Sequence, residues 1–442
     1  MIKISKNKKY QYLFFFIITI YTIFNGGNSN LLIQINFLLL GFLFIFCTRE
    51  KNYKIHLNFY YKKNKKFFIF YFLFIIYLCF LIIPLPIEIL KFFSIKKYIY
   101  LIKLDSNINF SSISLSPSDT FFQILNFLSM LFVVLIFKMI FFNSKHLCRI
   151  YLFLSFIGFV TALLGVILYL NSSSLFFINK KNYYDAASSF FVNRTTFSIY
   201  LLFCFMASVE LLKNYSNKFF FKEKNIFFYR SYIRIFIIFI SIGIITSFSR
   251  IGNFLFILTI ILYLINNIYY KKNKNINFTY LLFVILLFDI IVLGFYFGSE
   301  KILERFLFLK DEFSNILIEN PSLSRFQLIK FGMKQIPFFL FFGYGPGSFE
   351  ILFNIEYLNE TNFFANHSHS SLVEFIGEFG LIGSFLLLAS ISKIFFLKNT
   401  FDLNRLILLI ILLVVIVFDF SLHMPIIQLL FVIFFILRKR IY

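Results

Sequence analysis

Tryptophan is absent from this 442-residue chain, and acid is scarce: 20 Asp plus Glu stand against 43 Lys plus Arg, for a formal net charge of +23. Without Trp, tyrosine alone is left to mark membrane–water interfaces. The four cysteines, Cys47, Cys79, Cys148 and Cys204, form no CxxC pair and fall in or at the ends of apolar runs. They offer neither a disulfide framework nor a zinc site and read as small apolar fillers. Proline and glycine are also few, at 7 and 16. What fills the chain is apolar: 60% of residues are hydrophobic and the mean hydropathy is +0.84. A soluble domain is about 45–50% apolar, and no soluble interior of this size holds the excess. The 74 Phe, like the many Ile, Lys and Asn, follow the codons of an AT-rich genome and carry no functional weight.

The apolar runs are continuous, which excludes the period-2 alternation of an outer-membrane barrel and predicts an all-α polytopic membrane protein. Twelve spans are expected, at about 10–24, 31–47, 67–83, 120–142, 150–170, 195–212, 232–248, 251–268, 278–298, 371–397, 404–420 and 425–437. The first resembles a signal-peptide core, but Asn25-Gly-Gly-Asn-Ser-Asn30 offers no small-x-small cleavage site, so an uncleaved span is expected. Lys and Arg collect in Arg49–Lys66, Lys213–Arg234, Tyr269–Lys274 and Arg438-Lys-Arg440. The positive-inside rule then puts both termini in the cytoplasm. The basic charge is a topology signal with anionic membrane lipids as its partner, and nucleic-acid binding is not expected. Residues 1–298 hold nine spans with extracytoplasmic loops at about 84–119 and 171–194. Residues 299–370 form one large extracytoplasmic loop, and 371–442 hold three spans and a cytoplasmic tail. In the large loop, Asn320-Pro321 caps a short amphipathic helix through Gln335, and Gly343-Tyr-Gly-Pro-Gly347 makes a tight turn. No internal repeat is evident.

This topology brings Arg194, Arg250, Arg325, His367, His369 and His423 to one face. An arginine near a span end often only snorkels to headgroups, and that reading stays open for Arg194. Arg250, in a very short connection against the positive-inside trend, marks a functional site more strongly. His423, in Asp419-Phe-Ser-Leu-His-Met-Pro425, reads first as a satisfied polar group. His367 and His369 form an HxH pair; residues two apart on a helix face different ways, so no metal site is expected. Ser371 and Glu374 have the spacing of a capping box, which starts the tenth span at Ser371. His369 then lies just ahead of a helix N-terminus, whose partial charge lowers the imidazole pKa and keeps the ring neutral as a general base requires. His367 reads as a bystander. Several arginines on a water-accessible face beside lipid suggest an anionic, lipid-linked phosphate or diphosphate.

Five segments carry a resemblance to a known family: Phe190-Phe-Val-Asn-Arg-Thr-Thr-Phe-Ser198, Ser247-Phe-Ser-Arg-Ile-Gly252, Ser324-Arg325 with Gly343-Tyr-Gly-Pro-Gly-Ser-Phe349, His367-Ser-His369-Ser-Ser-Leu372 with Glu378-Phe-Gly380, and Asp419-Phe-Ser-Leu-His-Met-Pro425. In order and spacing the chain resembles the bacterial O-antigen ligase and O-antigen polymerase superfamily over roughly residues 85–437. Thr195, Ser370 and Ile251 depart from the Asn, Asn and Gly of that pattern. The resemblance implies a metal-independent, inverting glycosyltransferase of the bacterial inner membrane, without cofactor and with a periplasmic active site. Its donor is a glycan on undecaprenyl diphosphate. Its acceptor is lipid A-core sugar in an O-antigen ligase of lipopolysaccharide biosynthesis, or another lipid-linked glycan in a polysaccharide polymerase. Arg194, Arg250 and Arg325 are implied to hold the diphosphate and His369 to take the acceptor proton, with Asn193, Glu374, Glu378 and His423 in support. From another class, a flippase for lipid-linked oligosaccharides also fits many spans and cationic residues, but paired halves are expected of it.

Overall fold

The computed structural model describes residues 6–103, 108–141, 144–171, 186–214, 223–270, 279–285, 287, 325–357, 365–395 and 403–437. Most of the expected ninth span, residues 299–324 of the large loop, and the Asn320-Pro321 cap lie outside them. Among the described residues the regular structure is helical apart from one antiparallel pair of two-residue strands. In chain order the helices are α1 (Lys6–Ile23), α2 (Asn30–Thr48), α3 (Lys51–Lys63), α4 (Lys65–Ile82), α5 (Ile87–Phe93), α6 (Ile95–Lys103), α7 (Pro117–Ile140), α8 (Ser144–Asn171), α9 (Arg194–Asn214), α10 (Glu223–Thr246), α11 (Arg250–Ile265), α12 (Arg325–Gln335), α13 (Phe349–Tyr357), α14 (Ser371–Phe395), α15 (Leu403–Phe418) and α16 (Pro425–Ile436). Among the described residues, eight helices are long and apolar enough to cross a membrane: α2, α4 and α7 to α11, some trimmed or extended by a few residues, and α14. The apolar α15 and α16 are shorter. The protein is an all-α polytopic membrane protein.

Burial separates the helices by role. The α9 span is 89% buried, against 28–50% for the other seven spans, so α9 is the axis around which the bundle packs. On α2 the buried positions Ile33, Asn36, Leu40, Leu43 and Cys47 recur at spacings of three and four. That stripe faces protein while Leu31, Leu38, Phe42 and Ile45 remain exposed, as a lipid-facing helix requires. Lipid tails are as apolar as leucine, so close backbone approach matters more here than burial. A Cβ on Gly158 of α8 would lie 2.4 Å from Cys204 Cβ of α9, and one on Gly243 of α10 would lie 2.9 Å from Ala162 Cβ of α8.

The loop at 84–119 is more ordered than its composition suggests. After β1 (Leu85–Pro86) come α5 and α6, then β2 (Phe110–Ser111) pairs antiparallel with β1. Ser114 N–H donates to Leu81 O and Leu115 N–H to Tyr344 O, which binds this loop to the glycine turn of the large one. Lys97 of α6 is buried, and its ammonium donates to the carbonyls of Ser112 (2.6 Å) and Ser114. Burial lowers its pKa to about 8. Ser116 accepts from Asp119 N–H and Pro117 takes the first helical position, so α7 starts at 117 rather than 120.

Candidate active site

Four hydrogen bonds gather the helix ends at one end of the bundle. Ser249 Oγ donates to Thr195 Oγ1 at 3.2 Å, joining the starts of α11 and α9. Thr196 Oγ1 and Ser421 Oγ lie 3.2 Å apart, joining α9 to the turn between α15 and α16. Ser371 N–H and Oγ–H both donate to Asp419 O, at 3.0 and 2.7 Å, joining that turn to α14. Arg194 and Arg250 are the first residues of α9 and α11. Asn193 caps α9 by accepting from Thr195 N–H at 2.8 Å, and Ser249 caps α11 by accepting from Gly252 N–H at 3.2 Å. Each arginine thus adds a full charge to the partial positive charge of a helix N-terminus, a pairing that favours an anion.

The α14 start corrects the capping-box expectation. The helix begins at Ser371, yet Ser371 is turned to Asp419 and Glu374 does not reach back to cap. Glu374 is instead fully buried in a cluster. Its Oε1 accepts from Ser368 N–H, and its Oε2 accepts from His367 Nδ1 and His423 Nε2, each at 3.0 Å. His367 stacks on Phe420 (4.6 Å between ring centroids, 16°), and His369 meets the same ring edge-on (5.2 Å, 73°). His367 is therefore tied to Glu374 and to the Phe420 ring. The fourth-residue acid of an apolar helix was its sequence signal, because a carboxylate at that depth needs cationic or N–H partners.

His369 has the features a neutral base requires. It adopts φ +61°, a left-handed conformation that non-glycine residues rarely hold without a reason. Its Nδ1 is buried without a hydrogen-bond partner among the described residues. Burial, then the Arg325 charge and the protonated form of His367, lower its pKa to about 4, against the opposing pull of Glu374. The direction matches the sequence expectation, but burial and Arg325 lead as its causes. Arg325 also acts on Asp419, so both groups feel the exposed charge at the start of α12. Asp419 is raised by burial, opposed by hydrogen bonds from Ser421 and by Arg325. Burial disfavours the charged form of His423, but Glu374, Glu378 and Asp419 outweigh it and raise the pKa to about 9. His423 is thus the cation that compensates Glu374.

Further along, α14 is broken. Gly380 has φ +61° and ψ −176°, which interrupts the helix. The segment before the glycine turn enters the gap. Tyr344 N–H donates to Gly377 O (2.9 Å) and Gly345 N–H to Glu378 O (3.1 Å), while Leu381 N–H and Ile382 N–H donate to the carbonyls of Leu340 (2.8 Å) and Phe341 (3.2 Å). The Tyr77 hydroxyl lies 2.7 Å from Phe342 O and 2.8 Å from Phe379 O. Non-helical backbone at membrane depth is tolerated only when paired in this way. Glu378 is buried and accepts from Gly347 N–H at 2.9 Å, so its role is to hold the turn.

His367, Glu374 and His423 are the described residues that could hold a metal ion, with their ligand atoms within 4.8 Å of one another. As hydrogen bonds these contacts turn an N–H of each ring toward the carboxylate; a metal would require each ring to present a bare nitrogen there instead.

Residues 235–388 match a family model described as O-antigen ligase. The match spans α11, α12, the glycine turn and the first half of α14, and so includes Arg250, Arg325, His367, His369, Glu374 and Glu378. No curated protein matches the chain.

Proposed function

We propose that this chain, which carries an O-antigen ligase family domain over residues 235–388, is a metal-independent inverting glycosyltransferase. It moves a glycan from undecaprenyl diphosphate to an acceptor hydroxyl on the periplasmic face of the bacterial inner membrane. The observation that carries this reading is His369, its Nδ1 buried without a partner among the described residues and its ring held neutral by burial and by the Arg325 charge, at one end of an apolar bundle. In the reaction the acceptor oxygen attacks the anomeric carbon from the face opposite the diphosphate. Its proton passes to His369, the bond from the anomeric carbon to the phosphate oxygen breaks, and the diphosphate leaves with the electron pair. Arg325, with Arg194 and Arg250 at their helix starts, neutralises the charge that develops on the leaving group. Asn193 positions Arg194, and Glu378 supports the glycine turn. Among acceptors we favour lipid A-core sugar, the O-antigen ligase reaction, over a second lipid-linked glycan.

The test is reconstitution of the full chain in vesicles with a lipid-diphosphate glycan and a candidate acceptor. A covalent glycan–acceptor product that survives chelator treatment is expected. Arg325→Gln is expected to lower its rate by about 10²–10³-fold, as removal of one transition-state donor does. Translocation of the lipid-linked glycan without a covalent product would mean a flippase.

The pKa shifts fix the pH window. His369 must be neutral, so transfer is lost as pH falls through about 4. His423 is raised in the folded protein from 6.5 to about 9. Its contribution to stability is therefore complete below 6.5 and lost as pH rises through about 9. A transfer rate that is level between these limits, with thermal stability falling on the alkaline side, is the expected profile.

A further inference from the structure

The cluster of His367, Glu374 and His423 takes no part in the proton and phosphate chemistry above, and its geometry gives it a different task. A carboxylate only accepts hydrogen bonds. Glu374 Oε2 lies 3.0 Å from both His367 Nδ1 and His423 Nε2, so each ring turns an N–H toward it. In the neutral ring that contact fixes the tautomer of His367: Nδ1 carries the hydrogen and Nε2 is left as an acceptor. The same logic orients catalytic imidazoles in other proteins. Three further contacts hold the ring. Phe420 stacks on its face at 4.6 Å. The neighbouring Ser368 amide is bound to the other carboxylate oxygen. His423 Nε2 holds the shared carboxylate oxygen from the other side at 3.0 Å. Yet the His367 side chain is 25% exposed, and Nε2 has no partner among the described residues. Considerable structure is thus spent on presenting one hydrogen-bond acceptor, beside His369 and along the same Phe420 wall.

We propose that His367 reads the acceptor: its Nε2 accepts a hydrogen bond from a hydroxyl of the acceptor sugar other than the one that attacks, and Glu374 and His423 are the positioning residues that hold it there. The proposal rests on the glycosyl-transfer reading and adds a determinant of acceptor choice to it. No covalent step is involved. A site built to bond a hydroxyl discriminates against an analogue that lacks it, because the protein group then loses its partner. One such bond corresponds to about a tenfold preference, rising toward a hundredfold when the group is well shielded from water.

The experiment compares kcat/KM for an acceptor glycan on which the wild type shows transfer with kcat/KM for its mono-deoxy derivatives. The full chain in vesicles is used throughout. One deoxy derivative, with its attacking hydroxyl intact, is expected to be poorer by about 10–10²-fold with the wild type. In His367→Phe the parent-to-deoxy ratio for that derivative is expected to collapse to about one. Glu374→Gln, which places an N–H donor against the rings, is expected to collapse the same ratio although His367 is retained. A ratio that stays at the wild-type value in His367→Phe overturns the proposal, as does a wild type indifferent to every deoxy position. Loss of all transfer in His367→Phe with His369→Asn still active makes His367 the base and overturns it as well. One tightly bound metal ion per purified chain, lost in Glu374→Gln, would replace the hydrogen-bonded cluster by a metal centre. If the wild type transfers to no acceptor at all, it is the glycosyl-transfer reading that fails, and the two failures are told apart.

Discussion

His369→Asn is expected to lower glycan transfer by about 10²–10⁴-fold, the usual contribution of a positioned general base, while the protein accumulates normally in the membrane. Asparagine is the informative substitution because of the backbone. At φ +61° an alanine adds strain, whereas Asn tolerates the left-handed region. Transfer lost in Asn and Ala alike, at equal membrane abundance, assigns the loss to the imidazole. Loss in Ala with activity retained in Asn would assign it to the turn. The low pKa of His369 does not argue against the role. A base held near 4 is a modest proton acceptor, but it stays neutral across the physiological range, and the attacking hydroxyl becomes strongly acidic only as its bond to the anomeric carbon forms.

The second large effect is structural. A Cβ on Gly343 (φ +72°) would lie 2.1 Å from Glu378 O, and one on Gly380 (φ +61°) would lie 2.4 Å from Phe341 O. Both obstacles are backbone atoms and cannot rotate away. Left-handed strain costs about 1–2 kcal/mol and forced overpacking about 1–3 kcal/mol more. Net stabilities are only about 5–15 kcal/mol, so Gly343→Ala and Gly380→Ala are each expected to reduce membrane abundance severely and to lower the thermal aggregation temperature of what remains. Gly41→Ala is the control: its Cβ would meet Phe132 at 3.7 Å, an ordinary contact, and wild-type abundance is expected. Gly343→Ala or Gly380→Ala at wild-type abundance would mean that the α14 break does not hold the fold together.

The membrane fold was legible because long apolar runs cannot be anything else, and the starts of α9, α11 and α14 were legible because Arg194, Arg250 and the Ser370-Ser371 pair interrupt those runs. The arginines were legible for a similar reason: a charge at the edge of an apolar run stands out. What the sequence did not disclose was pairing at a distance. Glu374 three residues after Ser371 has the spacing of a cap, and only the arrival of His423 from 49 positions further on gives that carboxylate a better partner. The glycines at 343, 345 and 347 announce a turn, but not that it fills a gap in a helix 33 or more residues later. Nor does the composition of 84–119 reveal that Lys97 ties that loop together, since a lysine is ordinarily read as solvated.

The break in α14 also bears on how the protein is made. Residues 340–345 leave the ribosome before 377–382. When the first half of α14 enters the membrane, the amides of Tyr344 and Gly345 and the carbonyls of Leu340 and Phe341 have already been synthesised. The interrupted helix can therefore meet its partners on arrival. Its unpaired groups, each costing several kcal/mol in hydrocarbon, need not wait for a later segment. With the order of turn and helix reversed in the gene, the same contacts would form the same site, but α14 would have to insert with its gap open.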